Sequence, residues 1–186
     1  MDNTLLAVRN INHNYIVVER SCDMTESIIQ ELIDQEEDTQ KGRFLTFTLG
    51  SECYGMEIQY VSEIIGIQPI TEMPEHPEYV RGIINLRGKI IPVMDVRIRF
   101  KKQSIEYNDR TCIIVIIIDD VSIGLIVDSV AEVLTIPDHD IVSPPDISGV
   151  SNKYIQGIGK VGNEVKMLLN CDKLLNEQDV EYLATI

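Results

Sequence analysis

Tyr54-Gly55-Met56-Glu57-Ile58-Gln59-Tyr60-Val61-Ser62-Glu63-Ile64 returns further along the chain as Ile123-Gly124-Leu125-Ile126-Val127-Asp128-Ser129-Val130-Ala131-Glu132-Val133. Glycine stands opposite glycine and glutamate opposite glutamate, while Ile58, Val61 and Ile64 match Val127, Val130 and Val133. The apolar runs Phe44 to Leu49 and Ile113 to Ile118 precede the two copies and align as well. Self-similarity of this kind points to two like units in tandem. Two like halves present several faces and a groove between them, which favours a bridging role over a single catalytic pocket.

Outward from the repeat, the pattern is one of short strands. Phe44 to Leu49 and Cys53 to Ile58 flank a turn at Gly50-Ser51-Glu52, a compact hairpin signature. Ile58, Val61 and Ile64, spaced by three, predict one helical turn after the second strand. Pro69, Pro74 and Pro77 exclude a continuous central strand there. Tyr79 to Val96 reads as a second hairpin turning at Leu86-Arg87-Gly88-Lys89, Asp95 to Phe100 as a short helix, and Gln103 to Arg110 as a polar join. The second half repeats the order, with hairpins around Asp119-Asp120 and Gly162-Asn163 and an irregular connection marked by Pro137, Pro144 and Pro145. Asn176 as N-cap, with Asp179, Val180 and Leu183, predicts a C-terminal helix over about 176–184. Residues 1–41 form an N-terminal extension, partly helical or disordered, where Ser27 and Gln30 resemble a capping box and Ile28, Ile29, Leu32 and Ile33 a narrow apolar stripe. The expected fold is mainly β: one domain over 42–186 built as two tandem barrels, the first about 42–105 and the second about 110–170, with a few short helices. Closing a small sheet removes its exposed edges.

Composition narrows the function classes. The 186 residues carry 30 acidic against 16 basic side chains, a formal net charge of −14. No basic cluster exceeds Arg97, Arg99, Lys101 and Lys102, which argues against nucleic acid and anionic membrane surfaces as partners. The longest apolar run, Cys112 to Ile118, is far short of the roughly 20 residues a membrane span needs and reads as a buried strand. No secretory signal opens the chain, so a cytoplasmic location is expected. Cys22, Cys53, Cys112 and Cys171 lie far apart with no Cys-x-x-Cys, the pattern of reduced, core-type thiols.

Signals for chemistry are weak. His13, His76 and His139 are isolated, so no metal site is expected. There is no Gly-x-Ser-x-Gly, and Gly157-Ile158-Gly159-Lys160-Val161-Gly162 sits inside a hairpin, the wrong context for a phosphate-binding loop. Glu57, Glu63 and Asp95 lie near the repeats and offer an acid–base pair in principle, so a small catalytic double barrel using Glu57 or Glu63 is the runner-up. Carboxylates at alternating strand positions more commonly face solvent. Neither a catalytic residue nor a cofactor is expected.

The segment Val80-Arg81-Gly82-Ile83-Ile84-Asn85-Leu86-Arg87-Gly88-Lys89-Ile90-Ile91-Pro92-Val93-Met94-Asp95-Val96-Arg97 resembles the central signature of the CheW-like chemotaxis coupling proteins. Phe44 to Gly50, Tyr54-Gly55, Val61 to Ile64, Tyr107-Asn108-Asp109, Gly124 to Asp128 and Lys173 to Asn176 fit the same family in order, so the likeness spans about residues 42–180. It implies two pseudo-twofold-related, five-stranded barrels of Src-homology-3-like type. It also implies a non-enzymatic adaptor that binds the cytoplasmic tip of transmembrane chemoreceptors and the regulatory domain of the chemotaxis histidine kinase, within receptor arrays under the inner membrane. No receiver-like segment follows residue 186, so the expected form is the adaptor alone. By position, Val61, Glu63, Gly82 and Arg87 match family residues implicated in receptor and kinase coupling. Read without the family, Arg87 is either a solvated turn residue or a forked donor, Gly82 either a bulge or a point of close approach, and Val61 either core or exposed contact.

Overall fold

A computed structural model of the chain describes residues 7–11, 14–18, 40–74, 76–118, 120–144 and 154–174. The chain divides into two compact units, Met1–Gln40 and Lys41–Ile186. In the first, β1 (Ala7–Ile11) and β2 (Asn14–Val18) pair antiparallel, Val8 opposite Val17 and Arg9 opposite Ile16. No strand is expected there from the sequence reading. The β-branched Ile16, Val17 and Val18 favour an extended strand there. The helices expected around Ser27 to Ile33 and over 176–184 lie outside the described residues.

The second unit begins with β3 (Arg43–Leu49), β4 (Glu52–Glu57), a 3-10 turn (Ile58–Tyr60), β5 (Val61–Gly66), β6 (Val80–Leu86), β7 (Lys89–Asp95) and α1 (Val96–Arg99). It continues with β8 (Cys112–Ile118), β9 (Val121–Val127), β10 (Ser129–Thr135), a second 3-10 turn (Asp138–Asp140), β11 (Ile141–Val142), β12 (Ile155–Val161), β13 (Glu164–Leu169) and α2 (Cys171–Leu174). The fold is mainly β with a few short helices, as the sequence implies. The helical turn expected through Ile64 ends at Tyr60, because Val61 to Gly66 pair along β8 as a strand.

Strand order shows how the halves combine. One sheet runs β10-β3-β4-β13-β12-β11, the other β5-β8-β9-β7-β6. Exchanging the halves maps one order onto the other, apart from the two-residue β11. The bulges repeat too: Val61/Glu63 corresponds to Val130/Val133, and Val80/Gly82 to Ile155/Gly157. The expected division into contiguous barrels, about 42–105 and 110–170, is therefore corrected. Each sheet takes its first hairpin from one half and its remaining strands from the other. The crossovers are local, at Ile58–Tyr60 between β4 and β5 and at Asp128 between β9 and β10. Periodicity reports which face of a strand is buried but not which strand it pairs with.

The halves are joined by two parallel pairings, β7 with β9 and β13 with β4, in which Val93 lies opposite Gly124 and Leu168 opposite Gly55. This is the physical meaning of the repeated glycine. A Cβ on Gly124 would stand 2.7 Å from Val93 Cγ1 and 2.8 Å from Ile113 Cγ2, and one on Gly55 3.0 Å from Leu168 Cδ2. Strand β8 explains the unbroken apolar run. Ile114, Ile116 and Ile118 face the large core shared by the two sheets, while Ile113 and Val115 face a second core containing Ile84, Ile91, Val93 and Ile126. A strand buried on both faces has no polar alternation.

Side chains also lock the halves together. Arg97 Nε and Nη2 donate to Asp128 Oδ1 and Oδ2, each at 2.6 Å, and Gly50 N donates to Oδ2 at 2.6 Å. Burial alone would raise the Asp128 carboxyl, but the Arg97 guanidinium and the Gly50 N–H outweigh it and hold the group below its ordinary range. The buried Asp95 caps α1, accepting from Arg97 N at 2.8 Å, and accepts from Tyr107 Oη at 2.9 Å. Arg99 lies over the rings of Tyr79 and Tyr154, 4.3 and 5.2 Å from their centroids, and its Nε donates to Leu174 O at 3.1 Å. Tyr79 and Tyr154 are repeat-equivalent, as are Arg99 and Leu174.

Gly124→Ala is expected to destabilise the domain by about 1–3 kcal/mol through overpacking, read as a lower denaturant midpoint at unchanged m-value. Because the folded pKa of Asp128 is depressed, its contribution is present above the unfolded value of about 3.9 and is lost as pH falls through the lower folded value. Asp128→Asn should therefore cost about 2 kcal/mol at pH 7 and flatten the stability profile below about pH 5, measured by urea melts across the acid range.

Candidate functional site

The turn Leu86-Arg87-Gly88-Lys89 joins β6 to β7, with Arg87 at φ 52° and Gly88 at φ 87°. Positive φ at both central residues is the type I′ hairpin geometry, which prefers Asn or Gly at the first of them. Asn85 Oδ1 accepts from Gly88 N at 2.8 Å and braces the turn. Arginine in this conformation costs about 1–2 kcal/mol. The equivalent turn between β12 and β13 has Gly162, φ 59°, in that place and avoids the cost.

The guanidinium of Arg87 reaches Glu63 on β5, Nη2 to Oε2 at 3.1 Å and Nη1 to Oε1 at 3.4 Å. β5 and β6 are the two edges of their sheet, so the pair spans the opening between them. The Arg87 side chain is 78% exposed and that of Glu63 28%. An exposed pair contributes about 0–1 kcal/mol, no more than the backbone cost of the turn, so stability does not account for an arginine here. Val61, on the same edge strand as Glu63, is half-buried against the shared core.

Gly82 differs from the other three. It is buried at the β6 bulge with φ 132°, and a Cβ there would meet Thr71 O at 2.1 Å. Thr71 and Ile83 exchange two backbone hydrogen bonds of 2.9 Å, which hold the segment after β5 against β6. The bulge and the close approach left open by the sequence are thus one feature. Gly82 shapes the backbone behind the site, while Val61, Glu63 and Arg87 lie on or near its rim.

Exposed apolar side chains, which the sequence reading does not name as contacts, recur at repeat-equivalent positions. Ile64 is 43% exposed and Val133 41%, while Ile90 is 46% exposed and Val165 56%. Each barrel thus carries an outward apolar residue on its edge strand β5 or β10 and another next to its hairpin turn. The signal was present in the repeat, since these positions are apolar in both copies although they lie outside the core. The runner-up acid–base pair is not assembled. Glu57 accepts from Gln59 Nε2 at 2.6 Å and Gln156 Nε2 at 2.9 Å, whereas Glu63 is bound to Arg87. Among the described residues, no group of three His, Cys, Asp or Glu is gathered as for a metal ion, and Cys53, Cys112 and Cys171 are free thiols. Burial, with Glu57 and Asp172 nearby, pushes the Cys171 thiol up to about 12, the behaviour of an inert core cysteine. No described helix is long and apolar enough to cross a membrane.

Comparison with known proteins agrees with this geometry. A CheW-like domain profile matches residues 43–179. The chemotaxis protein CheW of Klebsiella aerogenes is 33% identical over 150 residues, covering 80% of this chain and 90% of that protein. CheW of Treponema pallidum is 33% identical over 149 residues, covering 77% of this chain and 88% of its own length. The crystal structure of the scaffolding protein TtCheW from Thermoanaerobacter tengcongensis superposes with a TM-score of 0.68 at 35% identity, over 74% of this chain and 94% of that one. With the paired sheets, the braced Asn-Leu-Arg-Gly turn and these relatives in agreement, the chain belongs to the CheW-like family of non-catalytic chemotaxis scaffolds.

Proposed function

We propose that this chain couples transmembrane chemoreceptors to the chemotaxis histidine kinase, binding the cytoplasmic tip of the receptor at one surface and the regulatory domain of the kinase at another. It works in the cytoplasm at receptor arrays under the inner membrane and catalyses nothing. The observation that carries the receptor assignment is Arg87. Its side chain is kept at a strained turn position where the other half has glycine, its pairing with Glu63 adds little stability, and most of it faces solvent. Strain retained at an exposed, pre-oriented fork is characteristic of a recognition element. Glu63 aims the guanidinium, Val61 adds an apolar contact, and Gly82 sets the backbone beneath them.

For the kinase, the outward residues Val133 and Val165 supply apolar contacts on the sheet that does not carry the Arg87 turn, whereas Ile64 and Ile90 border Glu63 and that turn. Exposed apolar residues of this kind mark protein interfaces when they gather into patches. A kinase regulatory domain similar to the adaptor would meet such a barrel surface as one barrel meets another.

Arg87→Glu should lower affinity for a receptor tip fragment by at least about tenfold, and Arg87→Gly should do the same while keeping stability within about 1 kcal/mol of the parent. Isothermal titration paired with thermal melts checks both. Unchanged receptor affinity in the two variants would remove Arg87 from the site.

A further inference from the structure

The chain crosses between sheets twice, and the two crossings differ in charge: one holds an Arg97–Asp128 ion pair, the other Glu57 and Asp172. At Asp128, between β9 and β10, the forked bond from Arg97 fills the junction, and Arg97 Nη1 also donates to Gln103 O at 3.0 Å. At Ile58–Tyr60, between β4 and β5, the repeat places Gln59 where Asp128 stands. The equivalence of Val93 with Leu168 places Asp172 where Arg97 stands. The internal cation of one junction is thus an acid in the other.

The surroundings of the first crossing make this more than one exchanged residue. Asp172 Oδ2 accepts from Tyr60 Oη at 3.3 Å, and Glu57 is held by the amides of Gln59 and Gln156. Glu57 and Asp172 form no ion pair with any described residue. Both bear on the same phenol: burial first, then Asp172 and Glu57 among the neighbouring groups, push Tyr60 up to about 12. Tyr60 and Ile58 are half-buried, Gln59, Gln156 and Asp172 are exposed, and Val61 follows directly in the chain. The result is an open, mixed surface with an apolar floor and two uncompensated carboxylates, beside the residues assigned above to the receptor.

We propose that the first crossing is a docking surface completed by its partner: an arginine or lysine on the receptor helix that engages Val61 inserts beside Glu57 and Asp172, as Arg97 sits on Asp128 at the second crossing. This rests on the receptor reading given above. The second crossing shows how a forked guanidinium satisfies a carboxylate at such a junction, Arg97 on Asp128. Charge complementarity at such a surface chiefly sets partner choice and association rate, so Glu57 and Asp172 select receptors whose tip helix carries a cation at the matching position.

The test is calorimetric titration of a receptor tip fragment from the same organism into the parent chain, Glu57→Gln/Asp172→Asn, and Asp172→Arg, at low and physiological salt. Both variants should bind about tenfold more weakly, a change of about 1.4 kcal/mol. The salt dependence of the parent should flatten in the neutral double variant. Binding of the kinase regulatory domain should be unchanged, which also establishes that the variants are folded. Receptor affinity and salt dependence equal to the parent would overturn the inference while leaving the Arg87 assignment standing. If the parent itself failed to bind the tip fragment, the receptor reading would fall and this inference with it.

Discussion

The close approach of Gly55 to Leu168 and of Gly124 to Val93 is the constraint on which the rest of the structure depends. These contacts let the last strand of each half lie parallel beside the second strand of the other, so that neither sheet is complete within one half. Side chains at the two glycines would push the seams apart, at the small core of Val93 and Ile113 on one side and that of Phe44 and Leu168 on the other. Parallel pairs need long crossover connections. Here the chain from β7 to β9 runs through α1 and β8, and that from β4 to β13 runs through strands of both halves, which ties the two barrels into one unit.

Within that frame, the two halves depart from equivalence at particular residues. Arg87 occupies a turn position that its counterpart gives to Gly162, and Asp172 stands where its counterpart is Arg97. Lys166, nearly buried and paired with Glu164, replaces the core residue Ile91. The shared backbone needs none of these differences. The Arg97–Asp128 lock closes one junction between the sheets, the Glu63–Arg87 pair spans the open edges of one barrel, and Glu57 and Asp172 near Tyr60 form no ion pair with any described residue. A scaffold that must hold different partners on different faces requires such an uneven distribution on an even frame.

Much of this was legible in the sequence. The turn residues Gly50, Arg87-Gly88 and Gly162-Asn163 located three hairpins, and Asp95 announced the short helix it caps. The pairing of strands across halves was not legible, because alternation specifies a buried face and leaves the neighbour unspecified. Val61 was ambiguous for a related reason: a spacing of three fits a helical turn, yet a bulge between Val61 and Glu63 resets the strand and turns Ile64 outward. The Glu63–Arg87 pair joins residues of separate strands and follows only from the curvature of the sheet. The family likeness marked both as coupling residues before their contact was visible.

On the function proposed above, one molecule holds receptor and kinase at the same time. The most direct measurement is titration of a receptor tip fragment into the preformed complex of this chain with the kinase regulatory domain. Saturable binding with an affinity within a few-fold of that for the free chain is expected, because the Arg87 turn lies on one sheet and Val133 and Val165 on the other. Competition, in which the receptor fragment displaces the kinase domain, would contradict it.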